Sequence, residues 1–205
     1  ISCNNGNLEY IQNIGNVKYS IIGDQEWTSR EIYYLSKILT PKYNQSFKYL
    51  KPYYSLSDID ILDNSLKTKI DSKGFRIPIS SDIDSLIRYV GDNGAEKLKS
   101  NINKTDKILG WESKGNSDYG FDAVPYGEYN SSTDEFIGIG SSFKIPTYQD
   151  GSTISRLVAS ISDESSEIEK VSDSTFISFY PIRLCRDIPK ISILGKEYPY
   201  RKYGD

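Results

Sequence analysis

The chain contains no histidine, and this absence excludes more chemistry than any other feature of its composition. Histidine is the commonest general base and metal ligand in proteins, and it titrates near neutral pH without a perturbed pKa. Ser-His-Asp and Cys-His catalysis, and zinc or iron sites built from histidine, are therefore excluded. Methionine is also absent, and the two cysteines, Cys3 and Cys185, allow at most one disulfide bridge within the chain.

Long apolar runs and basic clusters are missing as well. No run of roughly 18 apolar residues occurs, so we expect no transmembrane segment. The net charge is −3 and no stretch concentrates lysine or arginine, so we expect no nucleic acid partner. The 205 residues, 37% of them hydrophobic, suffice for a single domain spanning residues 1–205. Because the chain opens at Ile1 instead of methionine, we expect processing, export and an extracellular or cell-surface location.

Tyrosine, by contrast, is abundant, with 17 residues. Its side chain offers a large amphipathic contact area at low entropic cost. We therefore predict a partner-binding surface formed by tyrosines of the segments 42–56 and 126–148, namely Tyr43, Tyr49, Tyr53, Tyr54, Tyr126, Tyr129 and Tyr148. The alternative is an AT-rich genome, which raises the frequencies of Tyr, Asn, Ile and Lys together.

The first third of the chain carries one strand signal and two helix signals. Short apolar and β-branched runs over 8–12 and 17–22, separated by a segment that contains Gly15, predict a β-hairpin. A capping-box spacing and an apolar face predict a helix over 29–39. A second helix is predicted from Ser57 to Thr68, where apolar residues again share one face.

The clearest helix is predicted just before the middle of the chain. Asp82 and Asp84 fall in its first turn, where carboxylates favour the positive end of the helix dipole, and Gly91 supplies the C-terminal cap. Between them, apolar residues recur at i, i+3, i+4 and i+7. A short amphipathic turn over 94–99 follows.

The second half is rich in turn residues and ends in short strands. From residue 110 onward, Gly, Ser, Asn and Asp interleave with single aromatics, which predicts a long loop region pinned by its aromatic side chains. Runs over 153–161, 166–171 and 175–186 predict an antiparallel meander, and a terminal hairpin is predicted to turn across 194–197.

Several of these segments, in this order, resemble the Fibrobacter succinogenes major paralogous domain over about residues 17–187. The family typically reads GWRLPT, a helix, KLKS, GW, SGFxALPxG, GLGS and a closing VRCVRD. The matching segments here are Ile22 to Trp27, Gly74-Phe75-Arg76-Ile77-Pro78, the helix SDIDSLIRYVG, Ala95 to Ser100, Gly110-Trp111, Tyr119 to Gly127, Gly138 to Ser141 and Ile182 to Asp187. The chain departs from the family in two places. The WSST-like segment is replaced by residues 143–147, and the cysteine often found before GWRLP is absent.

The resemblance implies an α+β, C-type-lectin-like fold. Such a fold has small antiparallel sheets flanked by two or three helices, a long loop region, and adjacent N- and C-terminal strands. This adjacency makes a Cys3–Cys185 disulfide reasonable, and the bridge would stabilise the fold by roughly 4 to 5 kcal/mol in the chain-entropy model. Two alternatives stay open for Cys3, because Ile1-Ser2-Cys3 also fits the end of a lipoprotein signal: a lipid anchor or a free thiol.

Catalytic and metal-binding interpretations are weaker than structural ones. Carboxylate pairs at 58 and 60, 82 and 84, and 167 and 169 have the residue types of a glycosidase, but first-turn helix charges explain the first two pairs better, and an outward strand face explains the third better. The calcium-binding tripeptides of sugar-binding C-type lectins do not occur. Asn116, Asp118 and Asp122 could supply oxygen ligands, although turn chemistry also accounts for them. We expect no enzyme and no cofactor, with calcium possible but unsupported by a motif.

Together these observations predict an exported, non-enzymatic binding or adhesion module. We expect it to recognise a macromolecule, a protein or a glycan at the cell surface, through its loop face. The alternative is a structural subunit that assembles with copies of itself into a fibre, appendage or surface layer. The aromatic segment 42–56 and the tail 188–205, which extends past the closing family motif, favour this alternative.

Overall fold

The structure is a computed structural model that describes residues 10–11, 18–29, 31, 34–35, 42–43, 52–55, 57–58, 74–105, 109–148, 156–173 and 177–199. Within these ranges, the two complete helices are α1 (Ser80–Val90) and α2 (Gly94–Leu98). The strands are β1 (Tyr10–Ile11), β2 (Tyr19–Ile22), β3 (Gln25–Thr28), β4 (Tyr34–Leu35), β5 (Lys42–Tyr43), β6 (Pro52–Ser55), β7 (Glu128–Asn130), β8 (Glu135–Ile137), β9 (Ser142–Pro146), β10 (Arg156–Ser162), β11 (Glu169–Asp173), β12 (Ser178–Tyr180), β13 (Cys185–Asp187), β14 (Lys190–Ile193) and β15 (Lys196–Pro199).

The strands form five small sheets, and every pairing between the named strands is antiparallel. The largest sheet has the order β5-β6-β12-β7-β8, and two three-stranded sheets have the orders β11-β10-β9 and β13-β3-β2. The pairs β1-β4 and β14-β15 complete the set. The chain is therefore an α+β protein built from small antiparallel sheets, as predicted.

The sheet β13-β3-β2 joins the two ends of the predicted family-like core. Cys185 lies opposite Trp27 and Arg186 lies opposite Glu26, although about 160 residues separate these partners. The expectation that N- and C-terminal strands are adjacent is confirmed at this sheet.

Helix α1 forms where the sequence predicts it and packs its apolar side into the core. Ile83, Leu86 and Val90 are buried there together with residues of α2. A carboxylate oxygen of Asp82 accepts a hydrogen bond from the Ile79 N–H at 2.7 Å, which satisfies a free donor at the start of the helix. Gly91 ends it, donating its N–H to the Ile87 carbonyl at 3.0 Å.

The predictions for the first forty residues are wrong in two respects. Tyr34–Leu35 forms strand β4, not part of a helix over 29–39, and it pairs with β1. The run 17–22 does not pair with 8–12, because β2 pairs with β3 across the two-residue turn at Gly23 and Asp24. A two-residue turn with glycine at positive φ closes a hairpin at lower entropic cost than the longer connection we predicted.

The remaining predicted elements are mostly confirmed, with shifted bounds. Of the predicted meander, the runs 153–161 and 166–171 pair as β10 and β11, but the third run is wrong, because β12 pairs with β6 and β7 in the five-stranded sheet. The terminal hairpin appears as β14 and β15. The run 175–186 is split into β12 and β13 by a segment that contains Pro181. Ser57 and Asp58 are helical, but the rest of the helix predicted to Thr68 lies outside the described residues.

Candidate interaction surface

The structure places most of the predicted tyrosine surface inside the protein. Tyr53, Tyr54, Tyr126 and Tyr129 are between 0% and 8% exposed, so the prediction that these four side chains face a partner is wrong. Tyr148 is half-buried beside the start of α1, where its N–H donates to the Pro78 carbonyl at 2.7 Å. Of the other two predicted tyrosines, Tyr49 and the side chain of Tyr43 lie outside the described residues.

The buried tyrosines are held by ring contacts and hydrogen bonds of the five-stranded sheet. The Tyr53 hydroxyl donates to the Tyr126 carbonyl at 2.6 Å, and the rings of Tyr53 and Tyr129 each lie 5.1 Å from the ring of Phe136. Burial, and secondarily the charge of Glu31, raises the pKa of Tyr53 far above its usual value. These side chains form the core of the sheet.

Two buried phenols make the protein sensitive to alkaline pH. Burial raises the pKa of Tyr180 as well, and its hydroxyl donates to Asp173 at 2.8 Å. Because the pKa of each phenol is higher in the folded state, unfolded chains release these protons first, from about pH 10 upward. We expect the free energy of unfolding to fall above this pH by up to about 1.4 kcal/mol per pH unit for each of Tyr53 and Tyr180.

Chemical denaturation at several alkaline pH values measures this slope. Tyr180→Phe should remove its own share of the slope, whereas Tyr198→Phe, at a position that is 45% exposed, serves as the control and should leave it unchanged. Equal slopes for the wild type and Tyr180→Phe would contradict the assignment.

A fully buried ion pair connects the N-terminal region, the loop region and the segment before β13. The Arg183 and Glu31 side chains have no exposed surface, and their charged groups lie 2.9 Å apart. Arg183 also donates to the backbone carbonyls of Thr28, Phe121 and Asp122. Its guanidinium carbon lies 4.4 Å from the Phe121 ring centroid, so this arginine links three segments that are distant in sequence.

A second polar cluster surrounds Cys185. Arg76 forms a salt bridge with Asp82, and its guanidinium lies 3.4 Å from the Cys185 sulfur. Burial alone would raise the pKa of Asp82, but hydrogen bonds from Arg76 and from the Ile79 N–H lower it below its usual value. Burial, with the nearby Asp82 carboxylate, raises the pKa of the Cys185 thiol, which is free in the structure. Cys3 lies outside the described residues, so the Cys3–Cys185 bridge and the lipid anchor stay predictions.

Four of the candidate carboxylates occupy structural positions, whereas Asp60 lies outside the described residues. Asp58 accepts hydrogen bonds from the N–H and hydroxyl of Ser55 at the start of its helical turn. Asp84 pairs with Lys170 at 2.6 Å, and Glu167 accepts from the Asn93 N–H at 2.8 Å. In the loop region, Asp122 accepts from the Ser117 hydroxyl. Within the described parts of the chain, no three His, Cys, Asp or Glu side chains are grouped to hold a metal ion.

The most exposed element in the described part of the chain is the hairpin β14–β15. All ten residues from Lys190 to Pro199 are exposed. Its base is anchored beside the β2–β3 turn, where the Ile188 N–H donates to the Asp24 carbonyl at 2.8 Å and Lys190 pairs with the Asp24 carboxylate at 2.7 Å. From this base, each four-residue strand extends about 13 Å.

The hairpin is amphipathic, and its apolar face is uncovered. Opposite residues of an antiparallel pair point to the same face, which places Ile191, Ile193, Tyr198 and Lys196 on one side. The other side carries Lys190, Ser192, Glu197 and Pro199. The three apolar residues are 39% to 52% exposed. A two-stranded hairpin gains little stability by itself, so an apolar face left open to solvent points to a binding role.

The turn of the hairpin breaks a local sequence rule. Leu194 and Gly195 are the two turn residues, and both have positive φ values, 52° and 75°. Asparagine and glycine are the residues that favour such turns, and leucine at positive φ is uncommon. Leu194 is also 100% exposed. Leucine is thus unfavourable at this position in both its backbone conformation and its exposure. This combination makes the Leu194 side chain a candidate for contact with a partner.

The sequence prediction found this hairpin but not its apolar face. Two features of the sequence could have indicated the apolar face. Strand alternation places Ile191 and Ile193 on one face, and the Leu194-Gly195 turn lacks the usual asparagine or aspartate.

Among the described residues, no helix is long and apolar enough to cross a bilayer. Comparisons of the chain with protein-family models, with curated proteins and with solved structures find no match in any of the three.

Proposed function

We propose that this chain is an exported, non-enzymatic binding module of C-type-lectin-like fold that contacts its partner through the hairpin β14–β15. The observation that carries the proposal is the open apolar face of this hairpin, formed by Ile191, Ile193 and Tyr198, with Leu194 fully exposed at the turn. Solvent-exposed apolar side chains grouped in this way are typical of interaction sites.

The resemblance to the Fibrobacter succinogenes major paralogous domain supports the proposed fold. Residues of the segments that resemble the family contact one another. Arg76, in the segment before α1, forms a salt bridge with Asp82 of that helix, and Arg183 donates to the carbonyls of Phe121 and Asp122.

The buried ionisable groups support a binding role over catalysis. Arg183 and Asp82 are engaged in charge pairs that fasten one backbone segment to another. Lys99 lies 3.1 Å from Asp163 and 4.9 Å from the Trp111 ring centroid. The raised pKa of the Cys185 thiol disfavours the thiolate, which is the reactive form of the side chain.

We propose the hairpin, and not the loop region, as the contact surface. Trp111, Phe121 and Tyr126 of that region are buried, and their rings fasten the loops to the core. The loop face is therefore built around aromatic residues that hold the protein together, whereas the hairpin presents its apolar residues outward.

Binding to the surface of whole bacterial cells tests the proposal. The fluorescently labelled wild type should bind, and the triple variant Ile191→Thr, Ile193→Thr, Leu194→Asn should lose at least tenfold in affinity, because three apolar contacts are removed. Threonine favours strands and asparagine favours the turn, so the hairpin should persist. Ser192→Thr, on the opposite face, is the matched control. Equal binding by the triple variant and the wild type would exclude the hairpin as the contact surface.

Self-assembly is the second candidate function. The outer edges of β14 and β15 have no strand partner within the described ranges, and an open edge is a template for pairing with another chain. Light scattering of the wild type at high concentration distinguishes the two functions. A monodisperse monomer supports binding to a different partner, and concentration-dependent oligomers that the triple variant does not form support assembly.

A further inference from the structure

We propose that the partner of the hairpin is a lipid surface carrying anionic headgroups, into which the turn inserts Ile193 and Leu194. This inference rests on the proposed function, because it names the chemistry of the partner at the same hairpin.

The side chains follow the depth order of an interfacial membrane anchor. Leu194 at the turn is fully exposed, and Ile193 beside it is 52% exposed. On the same face Lys196 lies opposite Ile193, at the same distance from the turn, and Tyr198 lies opposite Ile191 in the next pair on this face. Aliphatic side chains suit the acyl region, tyrosine rings concentrate at headgroup level, and lysine stems follow the apolar surface while the ammonium stays in water. A flat protein interface does not require this order.

The charge on this face complements an anionic surface. Lys196 forms no ion pair with any described residue, in contrast to Lys190, which is engaged by Asp24 and lies 4.0 Å from Glu197. Glu197 points to the opposite face. Among the hairpin residues 190–199, the apolar face therefore presents a single charge, and that charge is positive. A lysine near an anionic membrane surface adds a salt-dependent attraction to the burial of apolar side chains.

The area of the face argues against a second copy of the chain as the occupant. With side chains on the order of 150 to 200 Å² each, the exposed fractions of Ile191, Ile193, Leu194 and Tyr198 amount to roughly 400 Å². Two copies packed face to face would bury roughly 800 Å², which is below the ~1,200 Å² of stable specific interfaces. Pro199 lacks the N–H that pairing along the outer edge of β15 would use. A bilayer sets no such minimum area.

Vesicle flotation with the full chain tests this inference. We expect the wild type to float with vesicles of phosphatidylcholine and phosphatidylglycerol, and to bind vesicles of phosphatidylcholine alone several-fold less. Leu194→Asn should weaken binding about tenfold, because the turn keeps a favoured residue but loses its inserted side chain. Its thermal midpoint should equal or exceed that of the wild type. Lys196→Gln should remove the preference for anionic vesicles and leave binding to neutral vesicles unchanged.

The outcomes separate this inference from the proposed function. Hairpin-dependent binding to cells without flotation on either type of vesicle overturns the lipid surface and leaves the binding module standing. Flotation that is equal for the wild type and Leu194→Asn also overturns it, because the turn then takes no part. If neither cells nor vesicles bind, both proposals fail. Dimers detected by light scattering that Leu194→Asn dissociates would identify a second copy as the occupant instead.

Discussion

Arg183→Met should lower the free energy of unfolding by about 4 kcal/mol, which makes it among the most damaging single substitutions in the chain. Methionine keeps much of the side-chain volume, so the loss reports polar contacts more than a cavity. Without the guanidinium, the Glu31 carboxylate stays buried without its 2.9 Å partner, and the carbonyls of Thr28, Phe121 and Asp122 each lose a donor. Chemical denaturation of both proteins measures the difference.

A double variant tests whether the buried charge causes this loss. In Arg183→Met combined with Glu31→Gln, the buried carboxylate charge that faced Arg183 is removed as well, and we expect recovery of about 1 to 2 kcal/mol relative to Arg183→Met alone. Recovery should be partial, because the three carbonyls still lack their donor. Additive losses from the two substitutions would show that Arg183 and Glu31 do not depend on each other, and would contradict the role given to the pair.

The elements predicted best are those whose signals are local. Helix α1 has its acidic first turn, its apolar period and its terminal glycine within twelve residues, from Ser80 to Gly91. The terminal hairpin has two short strands joined by a turn that includes Gly195. In both cases the residues that decide the structure are neighbours in the sequence, so propensity and spacing suffice to predict it.

Elements decided by distant partners could not be predicted in this way. The segment 29–39 has a helical apolar pattern, but Tyr34–Leu35 pairs with Tyr10–Ile11, and the buried Glu31 pairs with Arg183, 152 residues away. Pairing over such a distance overrides a local preference of a few tenths of a kcal/mol per residue. The sequence pattern therefore predicted a helix over 29–39, where contacts with distant residues favour other structure.

The same limitation explains the tyrosine surface. The segment 42–56 has no clear period, and an aromatic segment without one fits an exposed loop or a buried strand equally well. Its strand β6 lies beside β12, with Tyr54 opposite Tyr180 and 0% exposed. Burial of Tyr53 and Tyr54 thus depends on a strand more than 120 residues away, whereas the exposure of Leu194 follows from its own turn.

Gly127→Ala should lower the free energy of unfolding by about 3 kcal/mol or more, through backbone strain and a steric clash. Gly127 has φ +64°, which costs an alanine roughly 1 to 2 kcal/mol. A Cβ at this position would also overlap the carbonyl oxygen of Ile137 and lie 2.8 Å from the carbonyl carbon of Gly138. Both groups are backbone atoms at the end of β8, and a side-chain rotation cannot move them away.

Gly74→Ala is the matched control for this substitution. Gly74 has nearly the same φ, +68°, but an added Cβ would meet no heavy atom of the described residues within 4 Å. We expect it to lose only the conformational part, roughly 1 to 2 kcal/mol. The difference between the two variants in chemical denaturation then measures the close approach of Gly127 to the end of β8. Equal losses would mean that the backbone around β8 shifts at no cost to accommodate the added Cβ. Gly127 would then be required for its backbone conformation alone.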